Sequence, residues 1–127
     1  MGNKICIDTN IIIDHLRGRS PGADIYEDII KNKEPYTSEI TRFELLCGAR
    51  NSEESMTIQD CLLGFTIVPF DSPCADMAAK IYRDLKEKGR IIGMRDILIA
   101  GTALANRLKM ATLNRDEFER VKGLVLY

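Results

Sequence analysis

Tryptophan is absent from this chain, and only 6% of its residues are aromatic. Histidine occurs once, as His15. That count excludes acid–base chemistry shared between two histidines and gives a Ser-His-Asp triad little to build on. Beside Leu16 on an early helix, His15 reads as a surface or boundary side chain. The four cysteines, Cys6, Cys47, Cys61 and Cys74, are scattered without a C-x-x-C pair, which argues against a disulfide framework and against a zinc site. Cys6 and Cys47 lie in apolar runs and read as small buried hydrophobes. No sign of charge dominates: 18 basic residues face 19 acidic ones, for a net charge of −1. Bulk attraction to a polyanion is thereby excluded, so any nucleic-acid contact must come from a local patch. The candidates are Lys86, Lys88 and Arg90, together with Arg42, Arg95 and Arg115. No apolar run approaches the roughly 20 residues needed to span a bilayer. Asp8 and Asp14 also interrupt the N-terminal stretch where a signal peptide would be apolar. The expected compartment is the cytoplasm.

What is present fits one domain over residues 1–127, since 127 residues are enough to bury a real core but too few for two domains. Short apolar segments alternate with helical patterns. Lys4 to Ile7 reads as a buried strand and Asn10 to Arg17 as a helix. Ala23 to Lys31 places Ile25, Tyr26, Ile29 and Ile30 at helical spacing. Pro35 to Thr37 reads as a strand, and Ile40 to Arg50 and Ser52 to Leu63 as helices. Phe65 to Phe70 is rich in β formers and is followed by a helix that Asp71 or Ser72 can cap, ending at Gly89. Asp96 to Leu108 is the clearest helix. Met110 to Leu113 and Leu124 to Leu126 read as short terminal strands. This alternation implies an α/β fold whose mostly parallel sheet is covered on both faces.

Within that plan several acids stand at sheet edges or on adjoining helices. Asp8 ends the run Ile5-Cys6-Ile7, so it sits at the carboxyl edge of a strand, where open α/β sheets bind ligands. It could equally cap the following helix, as could Thr9 or Asn10. Glu44 shares a helix side with Thr41 and Gly48, away from Leu45, Leu46 and Ala49, with Phe43 and Cys47 extending the apolar arc. Asp96 opens an apolar helix and suits an N-cap, a role compatible with metal binding because a carboxylate has lone pairs to spare. Thr112-x-Asn114-x-Asp116 follows a strand and suits a turn as well as a site. Converging carboxylates of this kind offer the oxygen ligands that magnesium or manganese requires.

At these residues the chain resembles the PIN-domain family, in particular the VapC-type toxins of bacterial and archaeal toxin–antitoxin pairs. The resemblance rests on Ile5 to Asn10, Thr41 to Ala49, Asp96 to Leu104 and Thr112 to Phe118, in that order across nearly the whole chain. It implies a three-layer α/β/α sandwich and a Mg2+- or Mn2+-dependent endoribonuclease. It carries three family acids onto Asp8, Glu44 and Asp96. The fourth position falls on Asn114, holding a water, or on Asp116, supplying charge. Thr9, Asn10 and Thr112 are expected to orient the carboxylates. The resemblance further implies an RNA substrate, a homodimer, and a cognate antitoxin that covers apolar residues such as Ile25, Ile29, Ile30 or Leu62. The competing expectation is a non-catalytic PIN-like module that binds RNA or protein.

Overall fold

β1, residues Lys4–Ile7, is the strand from which the architecture is built. In the computed structural model, which describes residues 2–127, it lies inside a four-stranded sheet. Its neighbours are β2 (Glu34–Ser38) on one side and β4 (Lys109–Ala111) on the other, with β3 (Thr66–Val68) beyond β2. All three pairings are parallel. Parallel neighbours require crossover connections, and helices supply them: α1 (Thr9–Arg17) and α2 (Gly22–Asn32) after β1, α3 (Glu39–Cys47) and α4 (Ser52–Leu62) after β2, and α5 (Ser72–Glu87) and α6 (Met94–Ala105) after β3. A four-residue helix, α7 (Arg115–Phe118), follows β4.

Strand parity divides the core in two. Side chains alternate across a strand, so Ile5 and Ile7 face one way and Cys6 the other. Ile5 and Ile7 join Ile11, Ile12, Ile29, Leu45 and Leu62 of α1 to α4. Cys6 and Met110 join Ile81, Leu85, Ile97 and Phe118 of α5 to α7. The result is the expected three-layer α/β/α sandwich. α6 is buried on nearly every side, from Asp96 and Ile97 through Ile99 to Ala103, as expected for a helix with almost no polar face.

Several local expectations change. α6 begins at Met94 with Gly93 at its cap, so Asp96 lies inside the first turn and does not cap it. The expected strand Leu124 to Leu126 is reduced to a single bridge, Leu126 to Met110. Cys47 is exposed and Phe43 is 66% exposed, since α3 turns that side away from both cores. Ile29 and Leu62 belong to the core, leaving Ile30 at the surface.

α5 and α6 approach most closely at Gly101. A Cβ there would stand 2.8 Å from the Ala78 Cβ and 2.9 Å from its Cα and backbone nitrogen. Backbone atoms cannot step aside, so Gly101→Ala is expected to lower stability by about 1–3 kcal/mol despite the better helix propensity of alanine. A shift of the urea midpoint to lower concentration, with unchanged slope, is the expected result.

Candidate metal centre

Asp8 stands at the carboxyl end of β1, between β2 and β4, where the chain leaves the sheet in both directions. Its residue is fully buried. Oδ1 accepts from the Thr9 backbone N–H at 2.8 Å, so Asp8 does cap α1. Oδ2 accepts from the Thr112 hydroxyl at 2.7 Å, just beyond the neighbouring strand β4. Both expected roles, cap and site, fall on one carboxylate.

Glu44 reaches the same place from α3. Ser38 ends β2 and caps α3 by accepting from the Thr41 N–H at 3.0 Å. The Ser38 and Thr41 hydroxyls lie 3.3 Å apart, those of Thr41 and Thr9 3.1 Å apart, and Thr9 Oγ1 stands 2.7 Å from Glu44 Oε1. Each hydroxyl has one proton to give. The carboxylate can only accept, so Thr9 donates to Glu44 and the relay runs from Ser38 through Thr41 and Thr9. Ser38, Thr41 and Thr9 are all buried, which holds Glu44 to one orientation.

Asp96, from α6, completes the convergence. Its Oδ2 accepts from the Asn114 amide at 2.9 Å, and the second proton of that amide goes to Glu117 Oε2, also at 2.9 Å. Asn114 is therefore part of the cluster. Asp116 is exposed and points elsewhere on α7; the acid that joins the cluster is Glu117. The sequence carried a signal for it: Asn114 is the cap of α7 and Glu117 lies three residues on, the spacing at which an acid folds back over its cap.

Arg95 fills the space between the acids. Its Nη1 lies 2.9 Å and 3.2 Å from the two Glu44 oxygens and 3.9 Å from Asp8 Oδ1, and Nη2 lies 2.6 Å from Asp96 Oδ1. Three of the other basic candidates are engaged outside the cluster. Arg42 pairs with Glu39, Arg115 bonds the Tyr127 carbonyl, and Lys88 pairs with Asp84.

The electrostatics follow from this crowding. Burial pushes the Asp8 carboxyl above its ordinary value, against the opposing pull of Thr112, Arg95 and the Thr9 N–H. Burial, then a hydrogen bond shared with Glu117, pushes Asp96 up to about 6. The Asn114 amide and the proton of Asp96 pull Glu117 down. The two neighbouring carboxyls are thus shifted in opposite directions, Asp96 up and Glu117 down.

The donor set suits a hard divalent cation: carboxylate oxygens, no sulfur, no imidazole. A guanidinium already stands among those oxygens as a stand-in cation. Among the described residues no three acid, histidine or cysteine side chains are spaced to ligate an ion together in this arrangement, in which Arg95 stands between the carboxylates. From Glu44 a groove of about 600 Å3 runs between α1, α3 and α4, lined by Ile13, Leu16, Leu45 and Ile58 with Arg17 and Arg19.

Comparison with known proteins agrees with this geometry. The PIN domain family model matches residues 5–124. Ribonuclease VapC1 of Methanocaldococcus jannaschii is 32% identical over 127 residues, covering 98% of this chain and 88% of that protein. The tRNA(fMet)-specific endonuclease VapC of Shigella flexneri is 32% identical over 126 residues, covering 95% and 94%. Among solved structures, VapBC2 of Rickettsia felis bound to a promoter DNA fragment aligns with a TM-score of 0.83 at 28% identity, over 97% of this chain and 96% of that one. FitAcB of Neisseria gonorrhoeae aligns with a TM-score of 0.80, also at 28% identity, with 97% and 96% covered. With an acid cluster at the edge of a parallel sheet and relatives matched along almost its full length, this chain belongs to the PIN domain family, among its VapC-type members.

Proposed function

We propose that this protein is an endoribonuclease that depends on Mg2+ or Mn2+ and acts as the toxin of a VapBC-type pair. One observation carries the reading: Asp8, Glu44 and Asp96 converge from three elements on a single sheet edge and share one positive group. Asp8, Glu44, Asp96 and Glu117 would hold the ion. When bound, it neutralises charge building on a scissile phosphate and acidifies water beside it.

The remaining work falls to the chain's own side chains. Thr112 and the Thr9 N–H turn Asp8 so that one oxygen faces the cleft. The hydroxyl relay does the same for Glu44. Asn114 ties Asp96 to Glu117 and sets their separation. Glu117, at the solvent edge, would accept a hydrogen bond from water and orient it. Neither His15 nor the ribose hydroxyl is needed, and the products would carry a 5′-phosphate and a 3′-hydroxyl.

The same reading includes a cognate antitoxin, a homodimer and a cytoplasmic location. Support for the antitoxin comes from solved relatives such as VapBC2 of Rickettsia felis and VapBC-1 of nontypeable Haemophilus influenzae. The groove leading to Glu44 offers it apolar walls and basic rims. Among the described residues no helix is long and apolar enough to cross a membrane.

Purified protein with Mn2+ is expected to cut RNA from a mixed pool of transfer, ribosomal and messenger RNA, and to stop in chelator. Asp8→Asn, Glu44→Gln, Asp96→Asn and Glu117→Gln should each lower the rate by about 100-fold or more, Thr112→Val by about 10- to 100-fold, and Asp116→Asn by less than about 3-fold. RNA retained on a gel without any cut would favour the binding module instead.

Stability without metal provides a second check. The carboxyls of Asp8 and Asp96 are raised on folding, so the native state binds more protons than the unfolded chain between about pH 4 and 6. Stability from these groups is complete below the unfolded value and is lost as pH rises through the folded one. In chelator the melting temperature should therefore fall by a few degrees from pH 4 to pH 6.5 relative to Asp96→Asn. Mn2+ should remove that difference.

A further inference from the structure

Arg95 is the only basic side chain recorded within 4.0 Å of Asp8, Glu44 or Asp96 among the described residues. It also meets the particular oxygens a cation would need. Asp8 Oδ2 is committed to Thr112, and Asp96 Oδ2 to Asn114. Asp8 Oδ1, which also accepts from the Thr9 N–H, Asp96 Oδ1, and the two oxygens of Glu44, one of which also accepts from the Thr9 hydroxyl, are the atoms Arg95 Nη1 and Nη2 face.

We propose that Arg95 is a built-in counter-cation, closing the acid cluster in the ion-free protein and leaving it when a divalent ion binds. The inference rests on the metal-centre reading given above. Its physical basis is competition. A guanidinium and a divalent ion cannot both occupy one small set of oxygens, because they repel each other where screening is weak. Without any cation, three carboxylates so close would repel instead and one would have to hold a proton. Arg95 relieves that repulsion.

The position of the residue permits the exchange. Arg95 lies on the first turn of α6, next to Asp96, and its side chain is 32% exposed. The flanking Gly93 and Met94 face solvent, and a side-chain atom added at Gly93 would meet nothing within 4 Å. The guanidinium can swing toward solvent by rotamer changes alone, while Asp96 stays bound to Asn114. The consequence is a threshold: part of the ion's binding free energy goes into displacing Arg95, so affinity is lower than the acids alone would give.

The test measures Mn2+ binding by electron paramagnetic resonance on the purified full chain and on Arg95→Gln and Arg95→Ala. In parallel, the Arg95 Nε–H signal of the unmodified protein is followed by NMR during a Mg2+ titration, which needs no variant to fold. Both variants should bind Mn2+ at least about 10-fold more tightly and melt lower than the parent in chelator. The Arg95 signal should shift and exchange faster with water as Mg2+ saturates. Equal Mn2+ affinity in parent and variants, or an Arg95 signal that saturating Mg2+ leaves in place, would overturn the inference while the metal centre stands. If neither the parent nor the variants bind Mn2+ at millimolar concentration, the metal-centre reading fails and this inference with it.

Discussion

Asp8 has lost its water at the end of β1, and the surrounding residues are arranged to make that burial tolerable. An isolated carboxylate in such a place would take up a proton, since burial penalises the charged form. Three neighbours oppose that tendency: the Thr9 N–H, the Thr112 hydroxyl and the Arg95 guanidinium. Two belong to backbone turns that the parallel sheet brings together, one leaving β1 and one leaving β4. The register that pairs Ile7 with Ala111 is what sets Thr112 beside Asp8. A slip of that pairing would remove the hydrogen bond and move β4 side chains to the wrong core.

The two cores give this arrangement its stiffness. β1 contributes Ile5 and Ile7 to one side and Cys6 to the other, so Asp8 is anchored by packing from both faces. Glu44 rides on α3, whose start is locked by Ser38 and Thr41, and Asp96 rides on α6, packed through Gly101 against α5. Rigid elements therefore hold the backbone at each acid. Arg95, Glu44 and Glu117 are the charged members of the cluster that reach solvent, and of these Glu44 is held by the hydroxyl relay, leaving the soft degrees of freedom to Arg95 and Glu117.

Under the metal-dependent function proposed above, that division would have a chemical use. A site that binds a divalent ion and a phosphate must offer fixed oxygens to the ion and still allow entry from solvent. The buried hydroxyls of Thr9, Thr41 and Thr112 fix the oxygens. Arg95 supplies charge balance where no permanent partner is buried with the acids. A fully buried basic residue in its place would make the balance permanent and the site useless to an ion.

The alternation of short apolar strands with amphipathic helices was legible along the chain, because buried parallel strands and one-sided helices leave period-specific patterns. So were Asp8, Glu44 and Asp96 as acids at strand ends or on a polar helix side, and their order matched a known family. Less was legible where local chemistry has two readings. Asp96 suited an N-cap until the helix start at Met94 placed it in the first turn. Asp116 suited a turn-borne ligand until α7, only four residues long, turned Glu117 inward in its place. Phe43 and Cys47 look buried by composition but lie on a face that meets no layer. The chain's own pattern thus determined the layers, the sheet edge and the acids gathered at it. Only the tertiary structure decided which oxygens converge and that Arg95 stands between them, because those contacts join positions 8, 44, 95 and 114, and no local pattern encodes distances between segments so far apart.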